Sequence, residues 1–170
     1  MKKGFTLIEL LVVIAIIAVL VSLGVASFLD ARQRATDNKK KSEMVQMKSA
    51  LRLYYNDYGK YPTSSFTSPN VQGCGTTGTT LCPGTCTSYE FAAGGDGCST
   101  ANVYMKRLPR LGSNGTYGWN YYVASSTDDF CLNVKLDNLS DAEIANSQTR
   151  CAAACGANCN TSGRYCQCAD

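Results

Sequence analysis

The sequence contains no histidine. That absence removes every catalytic arrangement built on an imidazole, including Ser–His and Cys–His nucleophile pairs. It also removes C-x-x-C-H haem attachment and zinc sites that mix cysteine with histidine. Proline is scarce too: there are four, and the first is Pro62, so nothing in the first sixty residues forbids a long helix. Charge of either sign is in short supply. The net charge is only +3, with Lys2 and Lys3 supplying two of the positive charges. No nucleic-acid partner is expected from such a balance. The run Lys39-Lys40-Lys41 lies between Asp37 and Glu43, and reads as a solvated helix face rather than a DNA patch.

What the chain does hold is ten cysteines: Cys74, Cys82, Cys86, Cys98, Cys131, Cys151, Cys155, Cys159, Cys166 and Cys168. An even number, all beyond residue 73, reads as disulfides formed in an oxidising compartment. The competing reading is zinc. Cys82-x₃-Cys86 would make one knuckle, and Cys151, Cys155 and Cys159 repeat every four residues. Without histidine the disulfide reading is preferred, and neither a metal nor a cofactor is expected. The stretch GGDG is too sparsely acidic for a calcium loop.

The first thirty residues behave differently from the rest. Leu10 to Leu29 is uncharged and mostly apolar, long enough to cross a hydrocarbon core of roughly 30 Å as a helix. The lysines ahead of it place the N-terminus in the cytoplasm, and all that follows Asp30 outside. Glu9 lies inside this segment, where an acid costs roughly 2.5–3.5 kcal/mol. A secretory signal peptide cleaved after Ala26 would leave a secreted, disulfide-rich binding protein, and a plain anchor is a second choice. Neither gives Glu9 a purpose.

KGFTLIELLVVIAIIAVL resembles the type III leader and N-terminal helix shared by type IV pilins and type II secretion pseudopilins. The resemblance implies removal of residues 1–4 by a prepilin peptidase, cutting after Gly4, and N-methylation of Phe5. It makes Glu9 the family's signature acid, an assembly residue. Physically, a buried carboxylate and a buried ammonium are each costly alone and far less so together. Glu9 of one subunit meeting the Phe5 ammonium of a neighbour would fix the axial step between them. Many family members carry a proline two-thirds along this segment, where this chain reads Ser22-Leu23-Gly24-Val25-Ala26. Gly24 is then the place where the helix would melt most readily.

The helix should continue past the membrane. Met44, Met47, Leu51, Tyr54 and Tyr58, with Ala50 beside them, recur at three- and four-residue steps. Gly59 and Pro62 mark the end. A helix from Thr6 to Tyr58 would be about 80 Å long. Residues 5–29 form its membrane and filament-core half, and residues 30–58 its amphipathic half. YYNDYGKYP, and later RLPRLGSNGTYGWNYY, also resemble the major pseudopilins. Where that family has Asp-Pro after the first Leu-Pro, this chain has Arg110-Leu111.

The head occupies residues 59–170. Residues 62–100 are rich in Gly, Ser and Thr and read as an irregular, stapled loop; its hydroxyls could take O-linked sugars, but a solvated loop suffices. Tyr117 to Ala124 is aromatic and β-prone, Phe130 to Leu136 alternates as a half-buried strand does, and the two should pair as an antiparallel hairpin over 117–136. Ser140 as N-cap, with Glu143 three residues on, starts a short helix. The tail 150–170 has too few hydrophobes to hold itself and should be tied back to Cys131. Ten tyrosines serve core and sheet rather than electron conduction. Asn114, Asn138 and Asn160 begin short sequons and are taken as surface residues.

The expected fold is α+β: a long N-terminal helix packed on a small antiparallel sheet with disulfide-rich loops. The expected function, implied by the resemblance, is structural and not enzymatic. The subunit would wait in the inner membrane and polymerise, with an assembly platform, into a pilus-like filament for adhesion, motility or DNA uptake. Its partners would be identical or related subunits, the peptidase and methylase, and membrane lipid before assembly. The alternative is a periplasmic type II secretion pseudopilus, whose major subunit calcium often stabilises.

Overall fold

The computed structural model describes residues 4–62, 66–67, 72–74, 80–81, 91–93, 102–112, 118–123 and 128–169. Expectations about Cys82, Cys86, Cys98, Asn114 and most of the 62–100 loop fall outside them. The chain divides into two compact units, Met1–Thr36 and Asp37–Asp170. Helix α1 (Leu7–Tyr58) belongs to both. By length and composition Leu7–Ser22 and Ser27–Tyr58 qualify together as a membrane span, although neither does alone.

In the first unit the described large apolar side chains are exposed: Phe5 is 84% exposed and Leu20 64%. In the second, the stripe of Met44, Met47, Ala50, Leu51 and Tyr54 is buried. Complete burial of each large side chain contributes about 1.5–3 kcal/mol. The helix stops at Gly59, whose φ of 65° suits a residue without Cβ and whose N–H donates to the Tyr55 carbonyl at 2.8 Å.

The stripe packs on a four-stranded antiparallel sheet, made of β1 (Phe66–Thr67), β6 (Trp119–Val123), β7 (Phe130–Lys135) and β8 (Arg164–Cys168) in that order. Two small ladders accompany it: β2 (Gln72–Cys74) with β3 (Thr80–Leu81), and β4 (Phe91–Ala93) with β5 (Asn102–Met105). Loop 62–100 is therefore less irregular than its composition suggested. Trp119, Tyr121, Phe130, Leu132, Val134 and Tyr165 join the helix stripe in one hydrophobic core. Trp119 donates its indole N–H to the Pro109 carbonyl at 2.8 Å, which pins the connection from β5 to β6. Gly118, at φ 68°, lies so close to the backbone of Leu111 and Gly112 that no Cβ would fit.

The opposite face of the sheet follows from the pairing register. Cys131 is opposite Cys168, and Asn133 opposite Cys166, so all four side chains share that face. It is covered by α2 (Ala142–Arg150), α3 (Ala152–Cys155) and a 3-10 turn over Gly156–Asn158. Alternation in FCLNVKL suggested a half-buried strand, yet every residue from Phe130 to Val134 is buried. The short C-terminal elements supply the missing cover, and disulfides hold them there.

Two expectations about this region need correction. The N-cap of α2 is Asp141, not Ser140: its carboxylate accepts the Glu143 N–H at 2.9 Å, so the helix starts one residue later and runs to Arg150. The tail also contains a true strand, β8, which its composition did not suggest.

Candidate functional site

Glu9 stands in the first turn of α1 and is exposed. Thr6 donates to its carboxylate twice, from the backbone N–H at 2.9 Å and from the hydroxyl at 2.7 Å. The Glu9 N–H donates back to the Thr6 hydroxyl at 3.3 Å. This is a capping box, in which the N-cap and the third helical residue satisfy each other's orphan groups. The sequence signal, Thr6-Leu7-Ile8-Glu9, follows the S/T-x-x-E pattern and could have been read in advance. Glu9 thus has a local role in starting its own helix, and it remains exposed. Phe5, directly before Thr6, is exposed, and nothing approaches the place where a Cβ on Gly4 would sit.

At the start of the second unit, polar groups enter the buried helix stripe. Asp37 is 1% exposed and accepts the backbone N–H groups of Asp137 and Asn138 at 2.8 and 2.7 Å. Lys40 donates to the Lys135 carbonyl at 3.1 Å and pairs with Asp137 at 2.9 Å. One residue on, Lys41 pairs with Asp141 at 2.6 Å. That hydrogen bond is the main reason why the Asp141 carboxyl is held below its usual range. The lysine run is therefore not a solvated face. Lys40 and Lys41 bind the connection between β7 and α2, and Lys39 remains exposed. Spacing gave a clue here: positions 37, 40, 44, 47, 51 and 54 continue the buried face in three- and four-residue steps.

Six of the candidate cysteines form three disulfides: Cys131–Cys155, Cys151–Cys168 and Cys159–Cys166. Together they make a second buried cluster between the sheet and the C-terminal helices. The sulfur atoms of Cys155, Cys159 and Cys166 converge, but each is committed to a disulfide and is not a thiolate available to zinc. Cys74 lies in β2.

The chain's first 25 residues match the family model of the prokaryotic N-terminal methylation motif. The type II secretion system core protein G of Pectobacterium carotovorum is 38% identical over 77 residues, which cover 42% of this chain and 49% of that protein. The core protein G of Escherichia coli K12 is 41% identical over 64 residues, 38% of this chain and 44% of that one. Over part of its length this chain is thus similar to type II secretion core proteins, and its first 25 residues carry the N-terminal methylation motif. The type IV major pilin PilE1 of Neisseria gonorrhoeae is 37% identical over 65 residues, 38% of this chain and 39% of that one. The chain thus spans under half the length of these relatives. No solved structure matches it.

Proposed function

We propose that this chain is a structural subunit that polymerises from the membrane into a type IV pilus-like filament. The observation that carries the reading is the pairing of two faces on one helix. From Phe5 to Val21, and at Phe28 and Leu29, its large apolar side chains are exposed, while from Met44 to Tyr54 its apolar stripe is buried in the head. Exposed apolar surface on this scale needs lipid or a packed bundle of like helices. Removal of residues 1–4 frees an ammonium on Phe5, and methylation keeps its charge. Glu9 of the adjacent subunit then supplies the counter-charge, in addition to capping its own helix. The N-terminus faces the cytoplasm before assembly, and the heads form the outer surface of the filament.

A second reading, a periplasmic pseudopilus acting in protein export, is favoured by the resemblance to core protein G from several bacteria. Both readings share one mechanism of assembly, in which no residue of this chain performs catalysis. Two measurements test them: intact mass of the mature protein, and electron microscopy of sheared surface filaments. The expected mass is that of a chain starting at N-methylated Phe5. A start at Met1 or Ser27 would reject the reading. Filaments on the cell surface support the pilus, and filaments confined to the periplasm support the pseudopilus.

A further inference from the structure

Two of the three disulfides behind the sheet meet. The sulfur atoms of Cys155, Cys159 and Cys166 lie within 4.8 Å of one another, although Cys155 is bonded to Cys131 and the other two to each other. All four cysteines are buried in one cluster. Both bonds run from the sheet to the short elements that cover it. Cys131 is on β7 and Cys166 on β8, on the same face, whereas Cys155 ends α3 and Cys159 follows the 3-10 turn. Cys159 also lines a cavity of about 500 Å³ with Ala145, Ala152 and Gly156. These small residues leave the Cys159–Cys166 bond beside a space that a small thiol can enter.

We propose that these four cysteines form a redox switch in which one reduction opens both bonds to the sheet. A dithiol reductant attacks Cys159–Cys166, is itself oxidised to a disulfide, and leaves two electrons and two protons on Cys159 and Cys166 as thiols. Cys159, as thiolate, then attacks the Cys155 sulfur. The Cys155–Cys159 bond forms, the Cys131–Cys155 bond breaks, and Cys131 leaves as a thiolate that takes up the proton Cys159 released. This second step is redox-neutral. It is favoured because closing a long loop costs more than closing a short one. Cys155 and Cys159 are four residues apart in sequence, while Cys131 and Cys155 are 24 apart. Two bonds that crossed to the sheet are thereby replaced by one inside the covering segment, with free thiols at Cys131 and Cys166. Cys151–Cys168 remains as the tie at the start of that segment. The switch is the same in a pilus, a pseudopilus or a free subunit.

The test uses Cys166→Ser, which leaves Cys159 as a thiol beside Cys131–Cys155 without any reductant. The detergent-solubilised full-length chain is quenched in acid, its thiols are alkylated with N-ethylmaleimide, and its bridges are mapped by mass spectrometry of unreduced peptides. The expected pattern is a Cys155–Cys159 bridge with the label on Cys131, and faster amide exchange in residues 152–158 than in the parent. Label on Cys159 with Cys131–Cys155 intact overturns the switch. A second arm does not rely on the variant's folding: the parent is treated with a limiting amount of dithiothreitol and mapped in the same way. Among chains that have lost Cys159–Cys166, label on Cys131 and Cys166 is expected, and label on Cys159 and Cys166 contradicts the exchange. A Cys159–Cys166 bond that resists dithiothreitol until the head melts contradicts it too.

Discussion

Single residues in this protein often hold two positions at once. Asp141 caps α2 with one carboxylate oxygen and pairs with Lys41 through the other. The two roles can be separated, because asparagine is as good an N-cap as aspartate but carries no charge. The carboxyl titrates lower in the folded chain than its ordinary value of 3.8, chiefly through the Lys41 hydrogen bond. Its contribution to stability is therefore complete above that value and is lost as pH falls through the folded value. Asp141→Asn should leave the helix intact, lower the melting temperature at neutral pH slightly, and flatten the acid limb of the melting curve below about pH 4. Thermal melts from pH 7 to pH 2 measure this. An acid limb as steep as the parent's would mean that the pair contributes nothing. Asp37 is a stricter case, since it is buried and ties two backbone N–H groups to α1. Its charge made it look like part of a solvated face in the sequence. A polar residue on a buried stripe is legible only when its partners, here Asp137 and Asn138 a hundred residues away, are known.

At the scale of elements, α1 and the central hairpin were legible because each carries its own periodicity. The Met44–Tyr54 stripe repeats at helical spacing, YGWNYYVA is aromatic and β-prone, and FCLNVKL alternates as a strand does. The C-terminal elements were not. β8 reads RYCQC, and its pattern makes sense only once Tyr165 and Gln167 face the core while Cys166 and Cys168 face the disulfide layer. Long-range bonds stand in for local pattern there, and ten cysteines allow too many pairings for sequence to select one. Cys131–Cys155 joins residues 24 apart and fastens α3 to β7. Replacing both cysteines with serine should cost about 2–4 kcal/mol. The loss should appear as a lower denaturant midpoint and faster amide exchange in residues 152–158. Unchanged exchange there would show that packing alone holds α3 on the sheet.

For the whole molecule, the two units answer different questions. The head needs only itself: a core around Trp119 and Tyr54, a polar tie at Asp37, and a disulfide layer behind the sheet. The N-terminal unit is incomplete by itself, with its described large apolar side chains exposed and, among the described residues, the Glu9 carboxylate bonded to Thr6. That incompleteness is what polymerisation would resolve. The capping box complicates the account of Glu9, because an acid that merely starts its own helix would need no neighbour. Glu9→Gln separates the two roles, since glutamine also serves at the third position of a capping box. If capping is the whole role, the variant should insert and assemble like the parent. If Glu9 is the counter-charge of an incoming Phe5 ammonium, losing it leaves that charge buried and unpaired at a cost of roughly 3–5 kcal/mol. The decisive measurement is the ratio of filament to membrane-pool subunit in Glu9→Gln and in the parent. The account predicts normal insertion and head folding with a filament fraction reduced at least tenfold, on the order of what a loss above 1.4 kcal/mol produces; equal ratios would contradict it.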